Sequence, residues 1–371
     1  MREAMCAAFL GLALATLPAG CEDDSNTPEM SSTDTFEDTG IPIPDAGGDT
    51  ETTHDTETDT MDLGLEWITI KAGSFWMGTP DGSCPTDYPG GASCISELGC
   101  YIDEDLHYVT LTQNFELMKT EVTQAEFTAL MGWNPSGFGP NGTETACGES
   151  CPVETVSWYD AVAFANALSL NLGIMPCYLL TNVNCLSGTS PAVGTDYMSC
   201  FDEDTTSFGG IDTATVSLNG VATPQACPGY RLPTESEWEY AARADTLTAF
   251  YNGVITDETS DPNMDLIGWY DANSGSTTHP VSEKAANDWG LYDMSGNVWE
   301  WIWDWYQSEY PAGTTSKPVV DPVGPEADAH RVIRGGYFGS DAEGARSGFR
   351  EFYTPVTRDY GVGFRLARSL P

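Results

Sequence analysis

Trp299, Trp301, Trp303 and Trp305 stand at every second position of one stretch, the period of a β-strand whose alternate side chains share a face. Four indoles on one face predict a strand laid on a core. The other face carries Val298, Glu300, Ile302 and Asp304, and just upstream Asp293, Gly296 and Asn297 predict a tight, oxygen-rich turn. Alternation over residues 67–79 and again over 107–123 predicts further strands, the first opening the folded region. Three helix starts share one signature. Thr123 with Glu126, Ser157 with Asp160, and Thr234 with Glu237 each set a hydroxyl three residues ahead of a carboxylate, the pattern of a capping box or a near relative of one. The first helix carries Phe127, Leu130 and Met131 and stops at Gly132; the second covers 158–172, with Ala161, Val162, Ala165 and Leu168 at helical spacing; the third covers 238–244. Residues 132–152 and 176–228 show no periodicity and read as long loops rich in Gly, Pro, Asn and Asp.

The N-terminal segment breaks from this pattern. An apolar run over residues 7–17, too short to span a bilayer, follows Arg2 and precedes Ala19, Gly20 and Cys21, so residues 1–20 read as a secretory signal. "LPAGC" resembles a bacterial lipobox with Pro18 where Leu is usual; Cys21 is then the lipidated mature N-terminus, simple secretion being the alternative. Residues 21–62 are acidic, hydroxyl-bearing and poor in aromatics, which predicts a disordered, self-repelling tether, because such a chain cannot bury enough apolar surface to offset its ordering entropy. The folded domain is expected over 63–371.

Composition narrows the partners. The chain of 371 residues carries 14 Lys+Arg against 56 Asp+Glu, a formal net charge of −42. Such a surface repels phosphate backbones and anionic headgroups, so nucleic acid is excluded as a partner. Hydrophobic residues make up 40%, enough for a sizeable core. Beyond Cys6 and Cys21, nine cysteines remain, which in an exported chain read as up to four disulfides and one spare thiol. Cys147 with Cys151 and Cys177 with Cys185 are near enough in sequence to be short bridges. A zinc site is the rival reading, disfavoured because no C-x-x-C pair occurs and His54, His107, His279 and His330 are scattered.

The words of the chain also carry a resemblance. "KTEVTQAEF", "PVETVSWYDAVAFANAL", "GYRLPTESEWEYAARA", "THPV", "GLYDMSGNVWEWIWDWY", "VIRGGYF" and "GVGFRLAR", following Met77-Gly78, occur in this order and resemble the formylglycine-generating-enzyme, or sulfatase-modifying-factor, family. The resemblance implies an α+β domain similar to the C-type-lectin fold, low in regular secondary structure and held partly by Ca²⁺. For a first Ca²⁺ site it implies side-chain oxygens from Asp293 and Glu300 and carbonyls from Gly296 and Val298, a suitable set for a hard cation. The alternative for Glu300 is an ion pair with Arg334 or Arg350. For a second site it implies Asn263 and Asn273 with carbonyls from Met264 and Gly275.

Catalytic members hold copper(I) on two cysteines shortly after an Arg-Gly-Gly-Ser motif and use O₂ to oxidise a substrate cysteine. Here Tyr337 replaces the motif's serine, Ser340 and Ala345 stand where the thiols fall, and no cysteine follows Cys227. Soft thiolates suit copper(I), and neither a hydroxyl nor a methyl replaces them, so copper is not expected and no catalytic residue is assigned. Met294 alone is one weak thioether, and Cys227 reaching the pocket from afar is the remaining thiol route. A second enzymatic branch, joining sulfur to histidine derivatives, uses iron on a separate three-histidine domain that is not read in this chain.

Trp299 and Tyr337 are expected to border a binding cleft, while the other tryptophans pack the core. Arg231, Glu235 and Glu237 have the chemistry of an acid–base group, but a helix cap with ion pairs explains them better. The reading that follows is an exported, lipid-anchored, non-catalytic module, stabilised by Ca²⁺, that binds a peptide, glycan or protein partner; the alternative is an oxidoreductase of the formylglycine-generating type acting on a protein cysteine.

Overall fold

Strand β1 (Trp67–Ile70) pairs antiparallel with β4 (Phe115–Met118), and β2 (Gly73–Met77) with β3 (His107–Leu111). Each stretch expected as one strand is therefore two, and each divides between two sheets. The computed structural model describes residues 61–80, 85, 87–89, 103–145, 147–191, 194–201 and 209–370. The signal, the Cys21 lipidation motif and most of the acidic tether, together with Cys84, Cys94 and Cys100, lie outside the described residues.

All three expected capping boxes form. Helix α1 (Gln124–Met131) starts at Thr123 and ends at Gly132 in the left-handed region; α2 (Trp158–Asn171) starts at Ser157; α3 (Glu235–Arg243) starts at Thr234. In each, the cap hydroxyl accepts from the N3 amide while the N3 carboxylate accepts from the cap amide, which satisfies two otherwise orphaned donors. The third helix begins earlier than its apolar pattern implied, because its first turn is charged yet buried.

The region 176–228 is not a long loop. It contains β5 (Tyr178–Cys185) and β6 (Ile211–Leu218), an antiparallel pair, with short 3₁₀ turns beside them. The extended strand also corrects a disulfide expectation. Cys177 and Cys185 sit at opposite ends of β5, roughly 25 Å apart at the rise of a strand. Cys177 instead bonds Cys227 and Cys185 bonds Cys200, while Cys147 bonds Cys151 as expected. The Cys227 thiol is thus consumed in a bridge.

Two short helices, α4 (Pro262–Ile267) and α5 (Asp271–Ser274), precede β8 (Trp299–Trp305). Between the pair β1–β4 and the strand β7 (Tyr230–Arg231) lies β13 (Ala367–Ser369), giving the order β1-β4-β13-β7. A second sheet sets β8 between β10 (Arg331–Arg334) and β12 (Val362–Gly363), with β11 (Arg350–Tyr353) at its edge. Strand β9 (Val319–Val320) completes the sheet of β2 and β3. Because β8 has neighbours along both edges and layers on both faces, Glu300, Ile302 and Asp304 are as buried as Trp299 and Trp301. The one-sided packing expected for it is therefore replaced by burial of both faces.

Charges buried on this scale require partners. Arg231 pairs with Glu237 at 2.7 Å, and Arg350 with Glu235 at 2.8 Å. These acid groups brace α3, as the helix-cap reading anticipated. Arg334 reaches Glu239 on the same helix, so the "RGG" segment is tied to α3 from below.

Candidate functional site

The turn before β8 is held by backbone at every step. Asp293 and Asn297 adopt positive φ of 55° and 63°, and Gly296 one of 83°. A Cβ on Gly296 would stand 2.2 Å from the Trp269 carbonyl oxygen, so this position admits only glycine. The Gly296 amide donates to the Gly335 carbonyl at 2.8 Å and the Phe338 amide to the Asn297 carbonyl at 2.9 Å, joining the turn to the segment that carries Tyr337.

Beneath this turn lie three fully buried carboxylates, Glu121, Asp293 and Glu300, and one fully buried guanidinium, Arg365. Arg365 meets Glu300 in a two-pronged pair, Nε to Oε2 and Nη2 to Oε1, each 2.7 Å. The Trp238 Nε1–H donates to Glu300 Oε2 at 2.8 Å. Glu300 is ion-paired, then, but with Arg365 rather than Arg334 or Arg350. Glu121 accepts from the Asn297 amide group at 3.0 Å and the Val298 N–H at 3.3 Å. Burial, then the Asp293 and Glu300 charges, push Glu121 well above the ordinary carboxylate range. Burial likewise raises Asp293 to about 6. One cation does not neutralise three acids.

Asp293 leaves one oxygen of this cluster unpaired. Its Oδ2 accepts from the Ser282 amide at 2.7 Å, whereas its buried Oδ1 has no partner. An orphaned carboxylate oxygen amid excess negative charge is suited to a hard cation. Asp293 Oδ1 with the Gly296 and Val298 carbonyls would hold Ca²⁺, and Glu300, already saturated by Arg365 and Trp238, would act on it mainly through its charge. The second oxygen set lies in a network of hydrogen bonds. Asn273 Oδ1 accepts from the Tyr270 amide at 3.0 Å, the Met264 carbonyl accepts from the Gly268 amide at 3.0 Å, and the Asn263 side chain donates to the Val254 carbonyl at 2.9 Å. These groups, with Gly275 in its left-handed turn, serve α4 and α5 as caps and ties.

At the positions assigned to the copper-binding thiols, Ser340 is buried and its hydroxyl accepts from the Tyr337 amide at 3.1 Å, and Ala345 is fully buried. A spent hydroxyl and a methyl do not fit a soft monovalent metal. Trp299, 6% exposed, lies beneath the rings of Tyr337 and Phe349, at 6.3 and 5.8 Å between centroids. Tyr337 occupies the space above Gly361, where a Cβ would come within 2.5 Å of its ring. The aromatic pair expected to border a cleft is packed on itself.

A cleft of about 880 Å³ opens elsewhere, lined by α1, the loop after it, and residues near Arg358 and Tyr360. The buried Glu154 shapes that loop by accepting the Gly137 and Phe138 amides, both at 2.9 Å. Arg358 is anchored to Asp160 and donates to the Ile211 carbonyl at 2.8 Å. Sequence reasoning did not single out Glu154, Arg358 or Tyr360, nor Glu121 and Arg365, although the last two lie inside the matched words "KTEVTQAEF" and "GVGFRLAR".

Fold and turn together define a formylglycine-generating-enzyme-like domain. The profile of the "Sulfatase-modifying factor enzyme 1-like domain" matches residues 52–370, and the chain belongs to that family. It is 33% identical over 243 residues to "Chaperone protein LppX" of Paenibacillus barcinonensis, a match covering 61% of this chain and 73% of that protein. It is 35% identical over 162 residues to the formylglycine-generating enzyme of Thermomonospora curvata, covering 41% of this chain and 54%, about half, of the enzyme. Among solved structures, Treponema denticola variable protein 1 is similar with a TM-score of 0.61 and 31% identity, over 84% of this chain and 99% of that one. PvdO from Pseudomonas aeruginosa shares the fold, with a TM-score of 0.56 and 24% identity over 82% of this chain and 94% of PvdO.

Proposed function

We propose that this chain is a non-catalytic member of its family, exported and held to a membrane through a lipid on Cys21, that uses the domain as a Ca²⁺-stabilised module for binding a partner. The observation that carries the reading is the pair Ser340 and Ala345, a committed hydroxyl and a buried methyl where the resemblance puts two metal-binding thiols. Cys227 offers no substitute, since its sulfur is bonded to Cys177. Export is supported by the three bridges among the described residues, which form and persist in oxidising compartments. Similarity to a protein named as a chaperone supports a binding role over an oxidising one.

The test is a peptide-oxidation assay. Purified protein, offered copper(I), O₂ and a thiol reductant to supply the two further electrons, is incubated with a cysteine peptide of the sulfatase type, and product is read by mass spectrometry. No aldehyde is expected. Turnover to formylglycine would replace this reading with that of an oxidoreductase, the activity that the Thermomonospora relative's name carries. Mass spectrometry of the mature N-terminus tests the anchor: a diacylglyceryl mass on Cys21 is expected, and an unmodified terminus would contradict it.

A further inference from the structure

The positive charge of this protein is turned inward. Seven arginines are buried, and Arg358 and Arg368 are held in ion pairs with Asp160 and Glu116. Among the described residues the cations left towards solvent are four lysines: Lys71, Lys119, Lys284 and Lys317. Of these, Lys119 pairs with Glu66 and Lys284 lies 3.9 Å over the Trp269 ring. With a formal net charge of −42 on the chain, the exterior presents an almost unrelieved negative field. Such a field draws cationic partners and rejects anionic ones.

The cleft beside α1 concentrates the features that would hold such a partner. Glu149 lines it and is exposed without an ion-pair partner among the described residues. Glu144, likewise exposed, follows the lining residue Thr143, and its amide donates to the Gly137 carbonyl at 3.1 Å. Tyr360, 52% exposed, lines the cleft with its ring braced by Phe338 at 6.2 Å and Phe138 at 6.1 Å. Trp133 adds a second aromatic wall, and its buried Nε1–H has no acceptor among the described residues. The one cation in the lining, Arg358, is already neutralised by Asp160. Aromatic faces and free carboxylates together receive an ammonium or guanidinium, and a cleft of about 880 Å³ is large enough for a few residues of chain.

We propose that this cleft receives a lysine- or arginine-bearing stretch of an extended polypeptide. The proposal deepens the binding-module reading and rests on it. The guest's cationic side chain would lie against Tyr360 with Glu149 as counter-charge.

The full chain, with its disulfides intact and in buffer containing Ca²⁺, is titrated into a fluorescein-labelled, cysteine-free ten-residue peptide of alternating Lys and Ala, read by anisotropy. Its Lys→Glu counterpart and a neutral oligosaccharide are the comparison ligands. Binding of the Lys peptide alone is expected, weakening as salt rises. Tyr360→Ala and Glu149→Lys should each weaken it about tenfold. Glu258→Lys, an exposed acid outside the cleft, should change it less than about twofold, in keeping with screening of distant charges. Thr128→Arg, which fills the cleft from α1, should abolish binding while the melting temperature stays near wild type. Equal losses from Glu258→Lys and Glu149→Lys would mean diffuse attraction and overturn the site. Binding of the neutral oligosaccharide in place of the Lys peptide, or of no ligand, would overturn it too. Neither peptide can be oxidised to formylglycine, so failure here leaves the catalytic question to its own assay.

Discussion

Glu300 on β8 and Arg365, in the segment joining β12 to β13, face each other with two hydrogen bonds of 2.7 Å, both side chains fully buried. Burial opposes the Arg365 cation, yet Glu300, and after it Glu121 and Asp293, hold its pKa above the usual arginine value. Removing the one cation leaves three buried acids facing each other. Arg365→Met is therefore predicted to destabilise the domain by about 3–5 kcal/mol, and adding Glu300→Gln to recover a large part of that loss. Urea unfolding midpoints measure both; a loss under about 1 kcal/mol for the single variant would show that the pair is not the brace described.

Calcium should act on the same cluster through Asp293. A ligand that binds only the folded state raises stability with its concentration, so millimolar Ca²⁺ is predicted to raise the melting temperature and a chelator to lower it. Asp293→Asn removes the charge at the orphaned Oδ1 and should abolish most of the response. An equal Ca²⁺ response in wild type and variant would place the ion elsewhere.

Asp304 gives the domain a separate pH dependence. Burial, then the Glu235 charge, push its carboxyl well above the ordinary range, while its Oδ2 accepts from the Glu235 amide at 3.0 Å at the start of α3. The folded state therefore keeps this proton to higher pH than the unfolded chain. The stability it contributes is complete below the unfolded value of about 3.9 and declines as pH rises towards the folded pKa. Asp304→Asn keeps the acceptor and removes the titration. The variant's stability relative to wild type should therefore increase from pH about 4 to 7, and a flat difference across that series of melts would contradict the assignment.

The three bridges close loops of different length, with sequence separations of 50, 15 and 4. Chain-entropy arguments give costs of about 4, 3 and 2 kcal/mol for removing Cys177–Cys227, Cys185–Cys200 and Cys147–Cys151 by paired Cys→Ser replacement. Denaturant unfolding of the three variants should follow that order; equal losses would mean that loop closure is not what the bridges contribute.

Local chemistry was the legible part of this fold. Thr123, Ser157 and Thr234 announced their helices because a capping box is complete within four residues, and the alternating tryptophans announced β8. What depended on distant partners was hidden. The break of residues 67–79 into β1 and β2 is decided by their pairing with β4 and β3 in different sheets, and β5 and β6 meet across a gap of sequence, the short alternation of Ala214, Val216 and Leu218 along β6 being the one local mark of the pair. The site divides the same way. Asp293, Gly296 and Asn297 stood out as one turn, whereas the partner of Glu300 lies 65 residues on, and the cleft takes its lining from α1, the following loop and Tyr360. Tyr337 and Trp299 were found in sequence, but the 6.3 Å approach of their rings is a tertiary event.

Ser340 and Ala345 stand where the resemblance puts a copper-holding sulfur pair, and a copper(I) titration under anaerobic conditions reads whether the protein holds copper without it. Wild-type protein is compared with Ser340→Cys/Ala345→Cys, using a competing chromogenic chelator to read bound metal. No stoichiometric, chelator-resistant copper(I) is expected on the wild type and about one equivalent is expected on the double variant, as soft thiolates would confer. One tightly held equivalent on the wild type would contradict that expectation.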